Sequence, residues 1–455
     1  MPKSIKIALL MAASLFMEIL DGTIVTTALP KIAQTFGETN GTVALLVSVY
    51  LITVAVFIPL SGWLAKRFGQ RRIWLTAVLL FTVSSLGSAL APNFAVLLGM
   101  RVVQGIAGSL MTPTARLIVL EKTAPKDLLK MMSYLIWPAL IAPAIAPVVG
   151  GALATYASWH WIFLINVPIG VVSWLIGLRQ LPPDPQTGRP HFDLLGFIEI
   201  AAASLLLLIS ADSASQAHPN WWLSLALFVL GLAASGLVAY HLTHAANPLF
   251  AVSALKIPSF RISQTGGSIL WLSVGSLPYL LTVYLQTVLH WSALAAGGLV
   301  IFIFIGNIGI KPFTTALIEH LGYRNAILLA LVLILVSGIA LGFTQATTPA
   351  ALIAVLATVS GVGRSLALTA YNGVSLTEVA FADRNSANTL SAVTQTLAQG
   401  IGVALVTLVV SLAGLLVPVN AAYQVGFVFL ALVMLAPMLE VWALPKTLGE
   451  QGLHR

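Results

Sequence analysis

The sequence predicts an all-α polytopic membrane protein with fourteen transmembrane helices. Three observations lead to this prediction: the composition, the recurrence of long apolar segments, and the placement of basic residues between them. Of the 455 residues, 58% are apolar and 8% are charged, against roughly 25% charged in soluble domains. So few charges cannot cover the surface of a soluble protein of this length, whereas a bilayer accepts an apolar exterior.

Fourteen apolar segments are each long enough to span a bilayer, which takes about 20 residues in a helix. The first of them follows Lys3 and Lys6, contains Glu18 and Asp21, and shows no small-residue cleavage site. We therefore interpret it as a retained helix and not as a signal peptide. The segments are residues 5–29, 43–64, 73–91, 94–120, 131–157, 161–181, 194–211, 221–240, 261–288, 292–314, 326–344, 351–372, 386–412 and 421–443.

Basic residues are unevenly distributed between the two sides of this arrangement. With the N-terminus in the cytoplasm, eighteen Lys and Arg residues, Lys311 among them, fall on the cytoplasmic side, and only Lys31 falls outside. Because Lys and Arg accumulate in short cytoplasmic loops, both termini are predicted to be cytoplasmic. The net charge of +8 is spread over short loops without a basic stripe, so we expect no nucleic-acid partner.

Two longer polar connections, residues 182–193 and 241–260, divide the chain. We predict an N-terminal six-helix bundle at residues 1–181, a linker with two extra transmembrane helices at 182–258, and a C-terminal six-helix bundle at 259–455. The connection LAKRFGQR (64–71) matches IEHLGYR (318–324), with Gly69 opposite Gly322 and Arg71 opposite Arg324. Such repetition is expected of transporters in which two bundles rock around a central site.

Six short motifs carry a resemblance to a known family. They are LDGTIVTTALP (20–30), GWLAKRFGQRR (62–72), RVVQG (101–105), APVVGG (146–151), ASWHWIFLINVPIG (157–170) and FDLLGF (192–197). In this order and on these helices, they resemble the major facilitator superfamily, in its fourteen-span drug:proton antiporter branch, over nearly the whole chain. The resemblance implies two six-helix bundles plus two extra helices in the cell membrane, and export of small amphipathic or lipophilic cationic compounds, driven by a proton gradient.

The resemblance also implies which residues control the change of conformation. Two positions depart from the family pattern: Lys66 stands where the family has Asp, and Ala146 where it has Gly. The second copy of the loop carries Glu319 at the position of Lys66. The conformational residues expected from the motifs are Gly62, Lys66, Arg67, Gly69, Arg71, Arg72, Pro147, Gly150 and Gly151.

Charged side chains inside the apolar segments indicate function most directly, since each costs about 3 kcal/mol or more in the bilayer unless it is paired. Glu18 and Asp21 share one face of the first helix. Asp21 lies roughly 12 Å and Arg101 roughly 10 Å below the predicted outer helix ends, so the two can meet if helices one and four are neighbours, as the resemblance implies. We assign proton coupling to Glu18, Asp21 and Arg101. The alternative is that the pair only holds two helices together.

Candidates for substrate contact are chosen by residue type. Aromatic and amide side chains in membrane helices often only pack or lie at the interface, and Arg116 can extend to the cytoplasmic surface. The candidates are Glu18, Gln104, Trp137, Trp271, Tyr279, Tyr284, Gln286, Asn307 and Arg364.

Other classes of function find less support in the sequence. The chain has no cysteine, and His241 and His244 have helical metal-ligand spacing without further ligands nearby, so we expect no metal and no cofactor. We find no phosphate-binding loop and no nucleophile elbow, and no clustered polar groups that would indicate a membrane enzyme. A receptor would have a large soluble appendage. A facilitator of one metabolite remains the alternative to an exporter, and a monomer is expected.

Overall fold

The computed structural model describes residues 3–38, 40–123, 127–184, 191–215, 220–291, 293–375, 378–380 and 383–444. Throughout these ranges the regular structure is helical. Eleven described helices are long and apolar enough to cross a membrane, and two shorter apolar helices lie at Leu194–Ser210 and Ala295–Gly309. The predicted all-α membrane class is therefore confirmed. The number of fourteen spans fits approximately and stays a prediction.

The first part of the chain forms eight helices. A 3₁₀ turn, Val25–Thr27, follows the first helix, and Asn93 caps the fifth by accepting a hydrogen bond from the Val96 amide at 2.9 Å. The helices are α1 (Lys3–Ile24), α2 (Leu29–Phe36), α3 (Asn40–Phe68), α4 (Gln70–Ala89), α5 (Phe94–Glu121), α6 (Leu128–Tyr156), α7 (His160–Leu164) and α8 (Asn166–Gln180).

The next two helices, α9 (Leu194–Ser215) and α10 (Trp221–His244), form a hairpin. Helix α9 also packs against α3 and against α15 (Arg384–Gly414). The Ser48 hydroxyl of α3 donates to Asp212 of α9 at 2.8 Å. Many apolar side chains of α10, such as Trp222 at 82% and Leu237 at 63%, are exposed, as expected of a surface that faces lipid. The division of the chain into two bundles and a linker stays a prediction.

The last part of the chain contains seven helices. They are α11 (Pro258–Thr287), α12 (Ala293–Gly309), α13 (Lys311–Gly342), α14 (Ala350–Ser375), α15 (Arg384–Gly414), α16 (Val419–Leu432) and α17 (Leu435–Trp442). Helix α13 turns at Gly322, whose φ of 76° is non-helical, so it contains two segments. The tenth span was predicted to end at residue 314, but the helix continues to this turn.

The sequence repeat corresponds to matching structural features. Gly69 has a φ of 93° and Gly322 a φ of 76°, a region that glycine adopts without strain. The Arg71 guanidinium donates to the Leu178 carbonyl at 2.9 Å, at the end of α8. The Arg324 guanidinium donates to the Trp442 carbonyl at 2.6 Å, at the end of α17. The two connections therefore anchor on the last helices of their own parts of the chain.

The assignment of Lys311 to the cytoplasmic loops is wrong. Lys311 is only 6% exposed and lies within the apolar helical segment before Gly322. The error arises because the helix runs further than its apolar segment predicts. Without Lys311, the prediction has seventeen basic residues on the cytoplasmic side and one, Lys31, outside. We call the end of the bundle with the connections at Gly69 and Gly322 the inner end, and the opposite end the outer end.

The charge distribution gives a prediction about topology. A green fluorescent reporter fused after Arg455 should fluoresce, because the inner end is expected in the cytoplasm. Alkaline phosphatase at the same position should be inactive. As a control, phosphatase inserted after Ala91, in the outer connection between α4 and α5, should be active. An active phosphatase at the C-terminus would contradict both the orientation and an even number of spans.

Candidate functional site

A fully buried ion pair lies in the interior of the first eight helices. The Arg101 guanidinium of α5 contacts the Asp21 carboxylate of α1, and both side chains are 0% exposed. The Asn166 amide of α8 donates to Asp21 at 2.8 Å, and the Gln104 amide donates to it at 3.3 Å. Asp21 thus accepts hydrogen bonds from three side chains. The matched depths of Asp21 and Arg101 predicted their contact, whereas their role in proton coupling stays a prediction.

Arg101 is held from several sides. Its Nε donates to the Leu46 carbonyl of α3 at 3.0 Å, and its Nη1 donates to Gln104 Oε1 at 3.0 Å. The guanidinium carbon lies 4.3 Å from the centroid of the Tyr50 ring, which is a cation–π geometry. Since a buried charge needs both a counter-charge and hydrogen bonds, this surrounding makes the ion pair tolerable in the interior.

Gln104 was predicted as a pocket residue, but it belongs to this buried network. It is 0% exposed, and its amide donates to the Ser85 hydroxyl of α4 at 2.8 Å. The prediction missed Asn166 as a partner of Asp21. Asn166 is the asparagine of INVPIG, within the motif at residues 157–170. Its place in that motif could have marked it as a candidate site residue.

Glu18 lies apart from this network and is partly exposed. The Thr112 hydroxyl of α5 donates to its carboxylate, and the Tyr50 hydroxyl donates to its main-chain carbonyl at 3.4 Å. A Cβ at Gly108 would lie 3.1 Å from the Tyr50 hydroxyl and 3.4 Å from Glu18 Cγ, so α5 approaches both side chains closely at this glycine. Glu18 therefore has one hydroxyl partner among the described residues, where Asp21 has an arginine and two amides.

The last part of the chain contributes two buried cations. Arg364 of α14 is 2% exposed and donates to the Ser273 carbonyl and hydroxyl of α11, each at 2.9 Å. Lys311 of α13 donates to Thr369 Oγ1 at 2.7 Å. Asn307, 6% exposed, accepts from the Ser365 hydroxyl through its carbonyl at 2.8 Å. Arg364 and Asn307 were predicted candidates, and Lys311 was missed because it was placed in a loop.

The other pocket candidates do not gather at one place. Trp271 lines a polar cavity of about 20 Å³ at the inner end, together with Arg116. Tyr284 donates to the Thr344 carbonyl at 2.5 Å near the outer end, and Gln286 is exposed at the end of α11. Tyr279 is partly buried among apolar side chains of the outer end. The Trp137 side chain lies outside the described part of the chain.

Hydrogen bonds at the inner end join the two large parts of the chain. Asn388 of α15 donates to the Pro113 carbonyl of α5 at 2.9 Å, and Arg116 of α5 donates to Asn372 of α14 at 2.7 Å. Asn385 donates to the Gly62 carbonyl of α3 at 3.2 Å. These contacts close the inner end between the first part of the chain and helices α14 and α15.

Glycine at position 62 permits this closure. A Cβ there would lie 2.2 Å from Thr389 Oγ1 and 3.0 Å from Asn385 Oδ1. Lys66, one turn further on, donates to the Ser386 hydroxyl of α15 at 3.3 Å. The position where the family has Asp thus still contacts the opposite helix, through the Ser386 hydroxyl and near the Asp383 carboxylate.

The loop around Gly69 is anchored by an acid that the prediction missed. The Asp184 carboxylate accepts hydrogen bonds from the Arg71 and Arg72 amides at 2.8 Å and 3.1 Å, at the start of α4. A Cβ at Gly69 would lie 2.2 Å from Asp184 Cγ. Arg67 lies over the Phe68 ring, with 6.0 Å from its guanidinium carbon to the ring centroid. An acid at a helix N-terminus is favoured by the helix dipole.

Helix α6 packs closely against α1 and the turn that follows it. A Cβ at Gly150 would lie 2.3 Å from Thr27 Oγ1 and 2.7 Å from Ile24 Cγ1, whereas a Cβ at Gly151 would meet nothing within 4 Å. The Pro147 side chain lies outside the described part of the chain. Glycine is therefore required by packing at position 150, and close helix approach through small residues is common in membranes.

Within the described ranges, no group of three or more His, Cys, Asp or Glu residues is placed to hold a metal ion. His241 instead lies beside two acids of the α9–α10 hairpin. Its Nε2 is 3.0 Å from Asp193, and its Nδ1 is 3.6 Å from Glu199. Asp193 also accepts from the Gly196 amide at 2.8 Å, so this cluster holds the inner end of the hairpin together.

Comparison with known proteins gives consistent matches. Residues 11–403 match the family described as Major Facilitator Superfamily. Proteins of Salmonella paratyphi A and Salmonella typhi, both named "Putative multidrug resistance protein MdtD", are 32% identical over 410 residues, which is 89% of this chain and 86% of theirs.

Two solved structures share the fold. The human organic anion transporter MFSD10 (TETRAN) has a TM-score of 0.71 at 15% identity, over 97% of this chain and 100% of that one. The proton:xylose symporter XylE, bound to 6-bromo-6-deoxy-D-glucose, has a TM-score of 0.67 at 14% identity, over 97% and 96%.

The buried network predicts unequal effects on stability. Asp21→Asn should lower the free energy of unfolding by about 3–5 kcal/mol, because Arg101 would remain buried without a counter-charge. Asn166→Ala should cost about 1–3 kcal/mol, the penalty for one unsatisfied hydrogen-bonding group. Thermal unfolding of the purified protein in detergent measures both, with Glu38→Gln, an exposed acid, as the control. Equal effects of Asp21→Asn and Glu38→Gln would contradict this account.

The inner contacts predict a conformational effect at Gly62. Because the chain has no cysteine, Lys66→Cys and Ser386→Cys can be introduced together and joined by a short bifunctional thiol reagent. Adding Gly62→Ala should reduce cross-linking several-fold, since the new Cβ collides with Thr389. Gly151→Ala is the matched control, and it should leave cross-linking unchanged. Equal cross-linking in both backgrounds would show that Gly62 does not govern closure.

Proposed function

The chain belongs to the major facilitator superfamily, and on that premise we propose that it exports small amphipathic compounds, lipophilic cations among them, in exchange for protons. Members of this family move small molecules across membranes, and the Salmonella relatives are named as multidrug resistance proteins. The single observation that carries the proton-coupled part is the position of Glu18, partly exposed and bonded to one hydroxyl.

The contrast between the two acids of α1 supports Glu18 as the proton carrier. Asp21 is 0% exposed and is occupied by Arg101, Asn166 and Gln104. Protonation of Asp21 would leave Arg101 as an uncompensated buried charge, which is costly. The Glu18 carboxylate forms no ion pair in the described structure, so it can take up and release a proton without leaving a buried cation unpaired. In this proposal Asp21 and Arg101 position α1, and Glu18 exchanges protons.

Competition between a proton and the substrate at Glu18 is enough to couple proton entry to substrate export. A carboxylate in a low-dielectric surrounding attracts a proton or a positively charged ligand more strongly than it does in water. A cationic substrate bound near Glu18 therefore favours the deprotonated form, and protonation from the outer side favours release of the substrate. A neutral substrate needs only to bind better when Glu18 is deprotonated, because a ligand shifts states by its differential affinity.

Opening and closing of the inner end would provide the conformational change of the proposed transport cycle. The contacts of Gly62, Pro113 and Arg116 with α14 and α15 would break when the protein opens inward to load substrate. All three are hydrogen bonds with a neutral acceptor, each worth about 0.5–3 kcal/mol net. A few such bonds can form and break in a transport cycle without a large barrier.

The proposal predicts a separation of binding from coupling. Glu18→Gln should reduce pH-gradient-driven ethidium export to the level of empty liposomes, because a glutamine amide cannot ionise. Binding of a neutral amphipathic ligand should remain within about threefold. Proteoliposomes with an imposed pH gradient measure the first quantity, and tryptophan fluorescence of the purified protein measures the second.

The matched control is Glu38→Gln, which removes an exposed acid from the same part of the chain and should transport like the parent. Full gradient-driven export by Glu18→Gln would show that coupling resides elsewhere. A parent protein that only equilibrates its substrate, with no response to the pH gradient, would instead identify a facilitator.

A further inference from the structure

An open groove of about 640 Å³ lies between α1 and α8, away from the ion-pair network and from the contacts that close the inner end. Lys6, near the start of α1, and Gln180, the last residue of α8, line one end of it. Because the Arg71 guanidinium donates to the Leu178 carbonyl beside this point, that end of the groove lies at the inner end of the bundle. Pro168, near the start of α8, lines the opposite end.

The spacing of the lining residues places them on one face of each helix. Starting from Lys6 on α1 and from Ile169 on α8, lining positions follow at three, four and seven residues, which is the repeat of a single helical face. Glu18 comes nine residues after Leu9, about two and a half turns, and therefore lies on the opposite side of α1. The groove is thus separate from Glu18 and mostly apolar. Its positions are Leu9, Leu10 and Ala13 on α1, and Val172, Ser173 and Ile176 on α8.

Two glycines of α8 explain why the groove is open. A Cβ at Gly170 would lie 1.9 Å from Thr82 Oγ1 of α4. A Cβ at Gly177, two turns further, would lie 2.5 Å from Trp74 Cζ3 of the same helix. Small residues therefore let α8 approach α4 closely, while the Asn166 hydrogen bond holds the start of α8 to α1. Space remains between α8 and α1 on the inner side of that hydrogen bond.

The groove has the length and the position of one lipid leaflet. From Pro168 to Gln180 it follows α8 for roughly 18 Å, against about 15 Å for half of the hydrocarbon core. Both helices belong to segments that are long and apolar enough to cross a membrane. Val172 in the groove is 55% exposed, and its neighbours Val171 and Leu175 are also exposed, as expected of a surface that faces lipid. A lipid of the leaflet at the inner end can therefore lie in the groove.

The inner end of the groove carries positive charge. Lys6 is exposed and lines the groove. Arg179 is also exposed, and it shares a helix face with Val172, seven residues before it. Neither cation takes part in a hydrogen bond or an ion pair with another described residue. Asp184, the acid that follows α8, instead accepts hydrogen bonds from backbone amides at the start of α4. Both cations are therefore available to an anion.

We propose that this groove binds one anionic glycerophospholipid from the leaflet at the inner end. An acyl chain lies along Leu10, Ala13 and Ile176, and the phosphate headgroup lies at Lys6 and Arg179. Because lipid tails elsewhere in the bilayer are equally apolar, the apolar wall alone selects little among lipids. Basic pockets between transmembrane helices do select anionic headgroups. The inference concerns a site outside the transport path and depends on neither the direction nor the coupling of transport.

The test compares dioleoylphosphatidylglycerol, which is anionic, with dioleoylphosphatidylcholine, which is zwitterionic and has the same acyl chains. Native mass spectrometry of the purified full-length protein in detergent measures the binding of each lipid. The parent should bind one phosphatidylglycerol at least about fivefold more tightly, since a basic residue near an anionic lipid contributes about that factor. Lys6→Gln should remove most of this preference, and Lys6→Arg should keep it. Arg261→Gln, which removes an exposed cation at the start of α11, should leave it unchanged.

A second variant tests the groove apart from its charge. Ala13→Leu places a larger side chain in the groove, so it should weaken the binding of both lipids several-fold and keep the preference between them. Equal binding of the two lipids by the parent overturns the proposal. A preference that Lys6→Gln and Arg261→Gln reduce alike also overturns it, because general surface charge would then be the cause. Unchanged lipid binding by Ala13→Leu would place the lipid outside this groove and overturn the proposal as well.

Discussion

A charge is costly to bury in a membrane protein unless it is paired, and the arrangement of the first eight helices reflects that constraint. Asp21 and Arg101 satisfy it by contacting each other with both side chains at 0% exposure. Their remaining hydrogen-bonding groups engage Asn166, Gln104 and the Leu46 carbonyl. One ion pair thereby fixes α1, α3, α5 and α8 relative to one another. A buried pair is weak evidence for stability, but it specifies which helices must be neighbours.

The same constraint separates the two acids of α1. Because Asp21 is fully occupied, it serves as a fixed anion, and Glu18 is left with a single hydroxyl from Thr112. The Asp21–Arg101 ion pair lies inside one part of the chain. No such ion pair joins the two large parts at the inner end in the described structure. The hydrogen bonds between the two parts have neutral acceptors there, such as Asn372 and the carbonyls of Pro113 and Gly62.

The two parts of the chain also differ in their buried charges. The first part carries Glu18, Asp21, Arg101 and Arg116, buried or partly buried, whereas the last part buries Lys311 and Arg364 without an acid nearby in the sequence.

The sequence by itself determined the class of fold and the existence of most helices, because apolar length and basic loops are local properties. The Asp21–Arg101 contact followed from matched helical depth only together with the neighbourhood of helices one and four that the family resemblance implies. The sequence also predicted that Gly69 and Gly322 occupy equivalent positions, since a backbone turn with positive φ favours glycine whatever surrounds it. Only the tertiary structure decided that Gln104 belongs to the ion-pair network, that Asn166 and Thr112 complete the two acids, and that Lys311 is buried. Those outcomes depend on which helix faces which and on where a helix ends. Residues as distant as 21 and 166 meet only when the helices pack, and no local pattern encodes that meeting.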